Sequence, residues 1–206
     1  MTENDPNHAA ARADFCRFLA ACYYEPGPEF AEEKLFDSMA AAGGLVDPDL
    51  AAGARRLGEA FAAASLEELL VDYTRLFLGP VDALARPYGS VWLGPDKLTM
   101  QDSTMAVLAL YDEGGFEIAE DFRELPDHVA AELEFLYVLL FRESRGGGDE
   151  VAALKRRLLA EHIGRWAGSF TEAVKAGAQC AFYRELGDLT NRFVAMSGSW
   201  PPAAGR

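Results

Sequence analysis

His128 and Glu132 stand four residues apart. That spacing puts two side chains on one face of a helix, where a proton or a metal could be shared. Two ligands do not make a metal site, and His8 and His162 have no comparable spacing. The plainer reading sets Asp127 at the positive end of a helix, with His128 in its first turn. Cys16, Cys22 and Cys180 are an odd set with no C-x-x-C pair. Cys16 and Cys22 fall about 240° apart around a helix, which argues against structural zinc and for inert buried thiols. Phosphate-binding, dinucleotide-binding, nucleophile-elbow and H-E-x-x-H signatures are all missing. Arg55-Arg56 and Arg156-Arg157 sit inside amphipathic stretches and read as solvated faces. The unusual set is Tyr73, Phe77, Pro80, Pro87, Tyr88 and Trp92. It reads either as a loop packed on the core or as the wall of a groove. Prolines supply backbone without donors, and Tyr and Trp supply flat faces with polar tips.

The elements that must position these residues are helices. Phe15, Phe18, Leu19, Cys22 and Tyr23 recur with helical period, and Pro26-Gly27-Pro28 ends the run. A second helix is expected over 29–42, ended by Gly43-Gly44. Asp47-Pro48 is a start signal for a third, faced by Leu50, Ala54, Leu57 and Phe61. Ser65 and Glu68 have capping-box spacing and open a fourth, with Leu66, Leu69, Leu70, Tyr73 and Phe77 facing inward. Residues 78–95 are too broken by Pro and Gly for a helix and too apolar for a plain loop. A helix resumes from Ser103 to Gly114-Gly115, and 116–125 is a second irregular connection. Pro126-Asp127 opens the most apolar helix, faced by Val129, Leu133, Leu136, Tyr137 and Leu140, which is expected at the centre. After Gly146-Gly147-Gly148, a helical stretch over 149–176 is expected to break at Gly164 or Gly168. The last helix covers 179–196.

Strand alternation is absent and Ala is abundant. The expected fold is therefore all-α, a single-domain bundle of about eight to ten helices. Its domain spans 1–196, and 197–206 form a flexible C-terminal tail. The 206 residues carry 19 Lys and Arg against 33 Asp and Glu, a net charge of −14. Such a field repels nucleic acid and anionic membrane surfaces and favours basic partners. No signal peptide or membrane span is read, so a reducing cytoplasmic location is expected.

Two stretches carry a resemblance. Asp72-Tyr73-Thr74-Arg75-Leu76-Phe77-Leu78-Gly79-Pro80, then Pro87-Tyr88-Gly89-Ser90-Val91-Trp92-Leu93, resembles Y-x-x-L-F-x-G-P followed by P-P-[WY]-x-S-V-[YW]-L. Pro126-Asp127-His128-Val129-Ala130-Ala131-Glu132-Leu133-Glu134-Phe135-Leu136 resembles D-H-x-x-x-E-L-x-F-[LM]. Together they resemble the TorD/DmsD/NarJ family of redox-enzyme maturation chaperones. The resemblance implies a helical cytoplasmic chaperone without turnover chemistry. Its partner would be the precursor of a molybdopterin oxidoreductase catalytic subunit, held by a leader with paired arginines until cofactor is inserted. The NarJ-type alternative is the N-terminus of a cytoplasmic nitrate reductase subunit. By resemblance alone, some relatives form domain-swapped dimers, and contact with guanine nucleotide or molybdenum cofactor is open.

Carried over by residue, the peptide-binding set is Tyr73, Leu76, Phe77, Pro87, Tyr88, Ser90, Trp92, Asp127, His128 and Glu132, with Glu134 extending the acidic surface. Asp127 would be the natural partner of a leader arginine. Two positions depart from the pattern: Arg86 replaces a proline, and Gly89 replaces an acidic residue. An enzyme centred on His128 and Glu132, and a scaffold that oligomerises through the Pro-rich loop, are the readings of other classes.

Overall fold

A computed structural model describes residues 6–79, 83–120 and 122–200. The helices in chain order are α1 (Pro6–Ala21), α2 (Glu29–Glu32), α3 (Leu35–Val46), α4 (Pro48–Ala63), α5 (Leu66–Tyr73), α6 (Gly89–Leu93), α7 (Asp102–Glu113), α8 (Val129–Ser144), α9 (Gly148–Glu161), α10 (Ile163–Gly177) and α11 (Ala181–Ser197). Nine have seven residues or more, within the expected eight to ten, and no strand is found among the described residues. α8 is the central element. Its buried residues run around its circumference, from Val129 and Leu133 to Phe135 and Leu139. It packs on α1 and α9, while α4 and α10 close on α11.

Local chemistry sets most of the boundaries. Asp47 caps α4, its carboxylate accepting from the backbone N–H of Asp49 and Leu50, with Pro48 at the first position. Ser65 and Glu68 form the expected reciprocal capping box. Several boundaries differ from the sequence reading. The second helix splits, because Lys34 turns through φ 53° between α2 and α3. Gly43-Gly44 do not end α3. A Cβ on Gly43 would stand 2.9 Å from the Ala51 nitrogen and 3.0 Å from the Phe15 ring, so this glycine serves close packing. The break after α9 falls at His162, ahead of Gly164. Leu66 is 40% exposed, because it opens the first turn of α5 where the chain meets solvent. Within the Pro-rich loop a five-residue helix, α6, forms after all. Pro80, part of the first motif, lies outside the described residues, as do 201–206 of the expected tail. Of the rest of that tail, Ser197 donates to the Phe193 carbonyl at 2.8 Å, and the Trp200 ring lies 5.3 Å from Phe193.

The first motif turns out to organise the fold. After α5 the helix widens into a π turn, Thr74–Leu78. The returning loop donates Leu84 N–H to the Arg75 carbonyl and Ala85 N–H to the Leu76 carbonyl, at 3.2 and 2.8 Å. Asp72 is buried, and one carboxylate oxygen meets Arg75 at 2.5 Å. The other accepts from Gln179 N–H and Cys180 N–H at 2.8 and 2.7 Å, tying the start of α11 to the end of α5. Removing it leaves two backbone donors unpaired. Asp72→Ala is expected to cost about 2 kcal/mol, read as a lowered urea midpoint at unchanged m. A variant as stable as the parent would contradict this role for Asp72.

Candidate functional site

The two motifs meet. Tyr88 and His128 form an isolated antiparallel bridge. Gly89 N–H donates to the Asp127 carbonyl, and Val129 N–H to the Pro87 carbonyl, both at 2.8 Å. The Asp127 carboxylate then accepts from Ser90 N–H at 2.7 Å, satisfying a donor that the first turn of α6 leaves free. Asp127 therefore fastens α6 to the start of α8. It is 1% exposed, and its second oxygen has no hydrogen-bond partner among the described residues.

α8 begins two residues later than its Pro126-Asp127 signal suggests. Its N-cap is His128, whose Nδ1 accepts from Ala130 N–H at 3.1 Å. That bond requires an unprotonated ring nitrogen. Burial pushes the His128 pKa down to about 4. Glu132 is fully buried beneath Gly89, and Trp166 Nε1 donates to both its oxygens at 3.2 and 3.3 Å. Burial raises its carboxyl pKa well above the usual range; the Trp166 bond opposes this and the nearby Asp127 charge reinforces it. A Cβ on Gly89 would stand 2.9 Å from both Glu132 Oε1 and Trp166 Nε1. Any side chain at this position would have to displace one of the buried pair, and glycine leaves both in place. His128 caps the helix that carries Glu132. No group of three His, Cys, Asp or Glu able to hold a metal is found among the described residues.

The remaining site residues divide by exposure. Tyr73, Leu76, Phe77, Pro87 and Ser90 are buried. Phe77 packs its ring among Tyr73, Tyr23 and Tyr183, at 5.3, 6.1 and 5.7 Å. Tyr88 and Trp92 keep some exposed surface. Trp92 donates to the Arg86 carbonyl at 2.9 Å, and the Tyr88 hydroxyl donates to Glu124 at 2.5 Å. Most of this set is therefore buried, with Tyr88 and Trp92 at its surface.

Beside the clamp lies a groove of about 370 Å³ that includes Tyr24, Phe116, Ile118, Phe122, Ala131 and Glu134. An aromatic file connects the two: Tyr24 to Phe122 at 6.3 Å, Phe122 to His128 at 6.0 Å, and His128 to Tyr88 at 5.5 Å. Glu134 accepts from the Tyr24 hydroxyl at 2.6 Å, and exposed Glu117 joins the rim. Burial raises the Glu134 pKa, with the Tyr24 bond opposing. Tyr24, Phe122, Glu124 and Trp166 were not legible as site residues. Tyr24 is 110 residues from Glu134 and Trp166 is 34 from Glu132, and neither pair has a local signal.

The pH dependence of the clamp has a definite sign. The His128 pKa lies below its unfolded value of 6.5, so its contribution is present above pH 6.5 and lost as pH falls toward 4. His128→Asn keeps a capping oxygen but cannot titrate. Between pH 7 and 4.5 the variant is expected to lose about 2 to 3 kcal/mol less stability than the parent. Urea midpoints at the two pH values check this, and parallel losses would contradict it.

Comparison with known proteins supplies the family. The model of the nitrate reductase delta subunit family matches residues 45–172, a span that contains both motifs and the clamp. The Tat proofreading chaperone DmsD of Salmonella typhi is 30% identical over 135 residues, 66% of this chain and 63% of that protein. The chaperone protein TorD of Photobacterium profundum is 27% identical over 137 residues, 65% of this chain and 63% of that one. The chain thus spans less than two thirds of the length of these relatives. Both are named for chaperoning and neither for a reaction. A solved protein of Archaeoglobus fulgidus, provisionally described as a redox enzyme maturation protein, has TM-score 0.59 at 18% identity, covering 89% of this chain and 93% of that one. That likeness speaks to the fold. No described helix is long and apolar enough to cross a membrane. By the match across both motifs, the chain belongs to the nitrate reductase delta subunit family.

Proposed function

We propose that this protein is a maturation chaperone that binds the N-terminal leader of a molybdopterin oxidoreductase precursor in the cytoplasm and holds it until assembly is complete. The observation that carries the reading is the groove beside the clamp, which combines the aromatic rings of Tyr24, Phe116 and Phe122 with the carboxylates of Glu134 and Glu117. A leader with basic residues ahead of an apolar stretch has the complementary pattern. The aromatic faces take apolar side chains, and a carboxylate accepts a guanidinium in two parallel bonds. The net charge of −14 steers such a peptide toward the chaperone.

The roles divide by depth. Tyr88 and Trp92 meet the leader at the surface, with Glu124 and Glu134 as the accessible acids. Asp127, His128, Ser90 and Glu132 act from within by fixing α6 and the start of α8. Asp127 reaches a leader arginine only if the clamp opens. Two names favour different clients. The Tat proofreading relative favours an exported enzyme with paired arginines. The nitrate reductase family favours a client without them. Both can be put to the same protein as synthetic leaders.

Calorimetric titration with a paired-arginine leader peptide tests the reading. A bound cation favours the charged form of Glu134, so binding is expected to release protons and weaken as pH falls from 7 toward 5. Glu134→Gln is expected to weaken binding about tenfold or more and to flatten that pH dependence. Unchanged affinity in the variant would remove Glu134 from the site. Failure of every leader to bind would overturn the chaperone reading.

A further inference from the structure

α8 is packed on most sides, but one face is left uncovered. Glu134, Tyr137, Val138, Phe141 and Arg145 keep exposed surface, while Leu133, Leu136 and Leu140 between them are buried. The five recur with helical period, so they form one stripe along the helix. The Tyr137 and Phe141 rings lie 6.1 Å apart, and Phe141 is 42% exposed. A single exposed apolar residue is ordinary, but three adjoining ones on one face make an uncovered surface. This stripe begins in the leader groove, where Ala131 and Glu134 are lining residues. The groove therefore continues along α8 toward its C-terminal end. At 1.5 Å of rise per residue, Phe141 stands about 10 Å beyond Glu134.

The charge changes sign along this track. Glu134 and Glu117 mark the groove end. At the far end the Arg145 guanidinium lies 5.3 Å from the Phe141 ring centre. Arg142, next to Phe141 in the chain, donates to the Gly114 carbonyl and stays half-buried. Glu143 does not offset these cations at the surface, because it is buried and paired with Lys155 at 2.7 Å.

We propose that this face of α8 takes the apolar stretch of the leader, with the basic residues held at the groove and the chain running parallel to α8 toward Phe141. The inference rests on the leader-binding reading and adds to it a direction and a second surface. Leader side chains cover Tyr137, Val138 and Phe141, while the guanidinium groups stay with Glu134 and Glu117. In the reverse direction the leader's arginines would face Arg145, and its apolar stretch would lie among carboxylates.

The probe is a synthetic peptide of two adjacent arginines followed by about ten Ala and Leu residues, with a nitroxide at one end or the other. Amide signals of labelled protein report where each nitroxide lies. The N-terminal nitroxide is expected to broaden Ala131 and Glu134 more than Phe141 and Arg145, and the C-terminal one the reverse. Phe141→Ser is expected to bind the unmodified peptide about tenfold more weakly, and Phe141→Leu to restore most of the affinity. The opposite order of broadening would overturn the direction. Parental affinity in Phe141→Ser would overturn the α8 surface. Either result, with broadening at Ala131 intact, would leave the leader-binding reading standing. No binding of the peptide to the parent protein would overturn that reading and this inference with it.

Discussion

Three hydrogen bonds between 87–90 and 127–129 hold the two sequence motifs of this molecule together. They join segments that are distant in sequence and would otherwise be two loops. Their consequence is geometric. They fix where α6 begins, where α8 begins, and therefore how Tyr88, His128 and Phe122 line up beside Tyr24. A side-chain carboxylate makes the third bond. This explains a buried acid at the N-terminus of the central helix, where the simplest reading would put a surface acid for an arginine.

Burying Asp127, His128 and Glu132 together has an electrostatic cost that the site lowers by neutralisation. Burial keeps His128 uncharged, which leaves Nδ1 able to serve as the cap, and burial pushes Glu132 toward its protonated form. Trp166 holds Glu132 in place from α10. The result is a fixed interior beneath a more accessible surface. For the proposed peptide binding, a preformed site loses less entropy when the peptide is taken up. The accessible carboxylates lie outside this interior, on Glu124, Glu117 and Glu134, where the field of the whole protein can act on an incoming cation.

Much of the fold was legible in the sequence because its signals are local. Asp47-Pro48 and Ser65 to Glu68 mark helix starts by chemistry that acts over three residues. The apolar character of Val129 to Leu140 announced a central helix. Misread signals were those whose reason lies elsewhere in space. Gly43 looks like a helix stop, but it lets α3 approach Ala51 and Phe15. Gly89 looks like a lost acid, but its place is over Glu132 and Trp166. Asp72 gave no sign of capping a helix more than a hundred residues away. The site was half legible for the same reason. Motif residues could be named from the chain, but which of them face solvent depends on packing partners from α1 and α10.

The central claim is that the groove beside the clamp receives the leader. Intermolecular NOEs between isotope-labelled protein and an unlabelled leader peptide test it most directly. The account predicts contacts from leader side chains to Tyr24, Phe122, Ala131 and Tyr88, with the ordered interior at Ser90 and Asp127 retained. Contacts confined to another face of the bundle, with none to these residues, would contradict it.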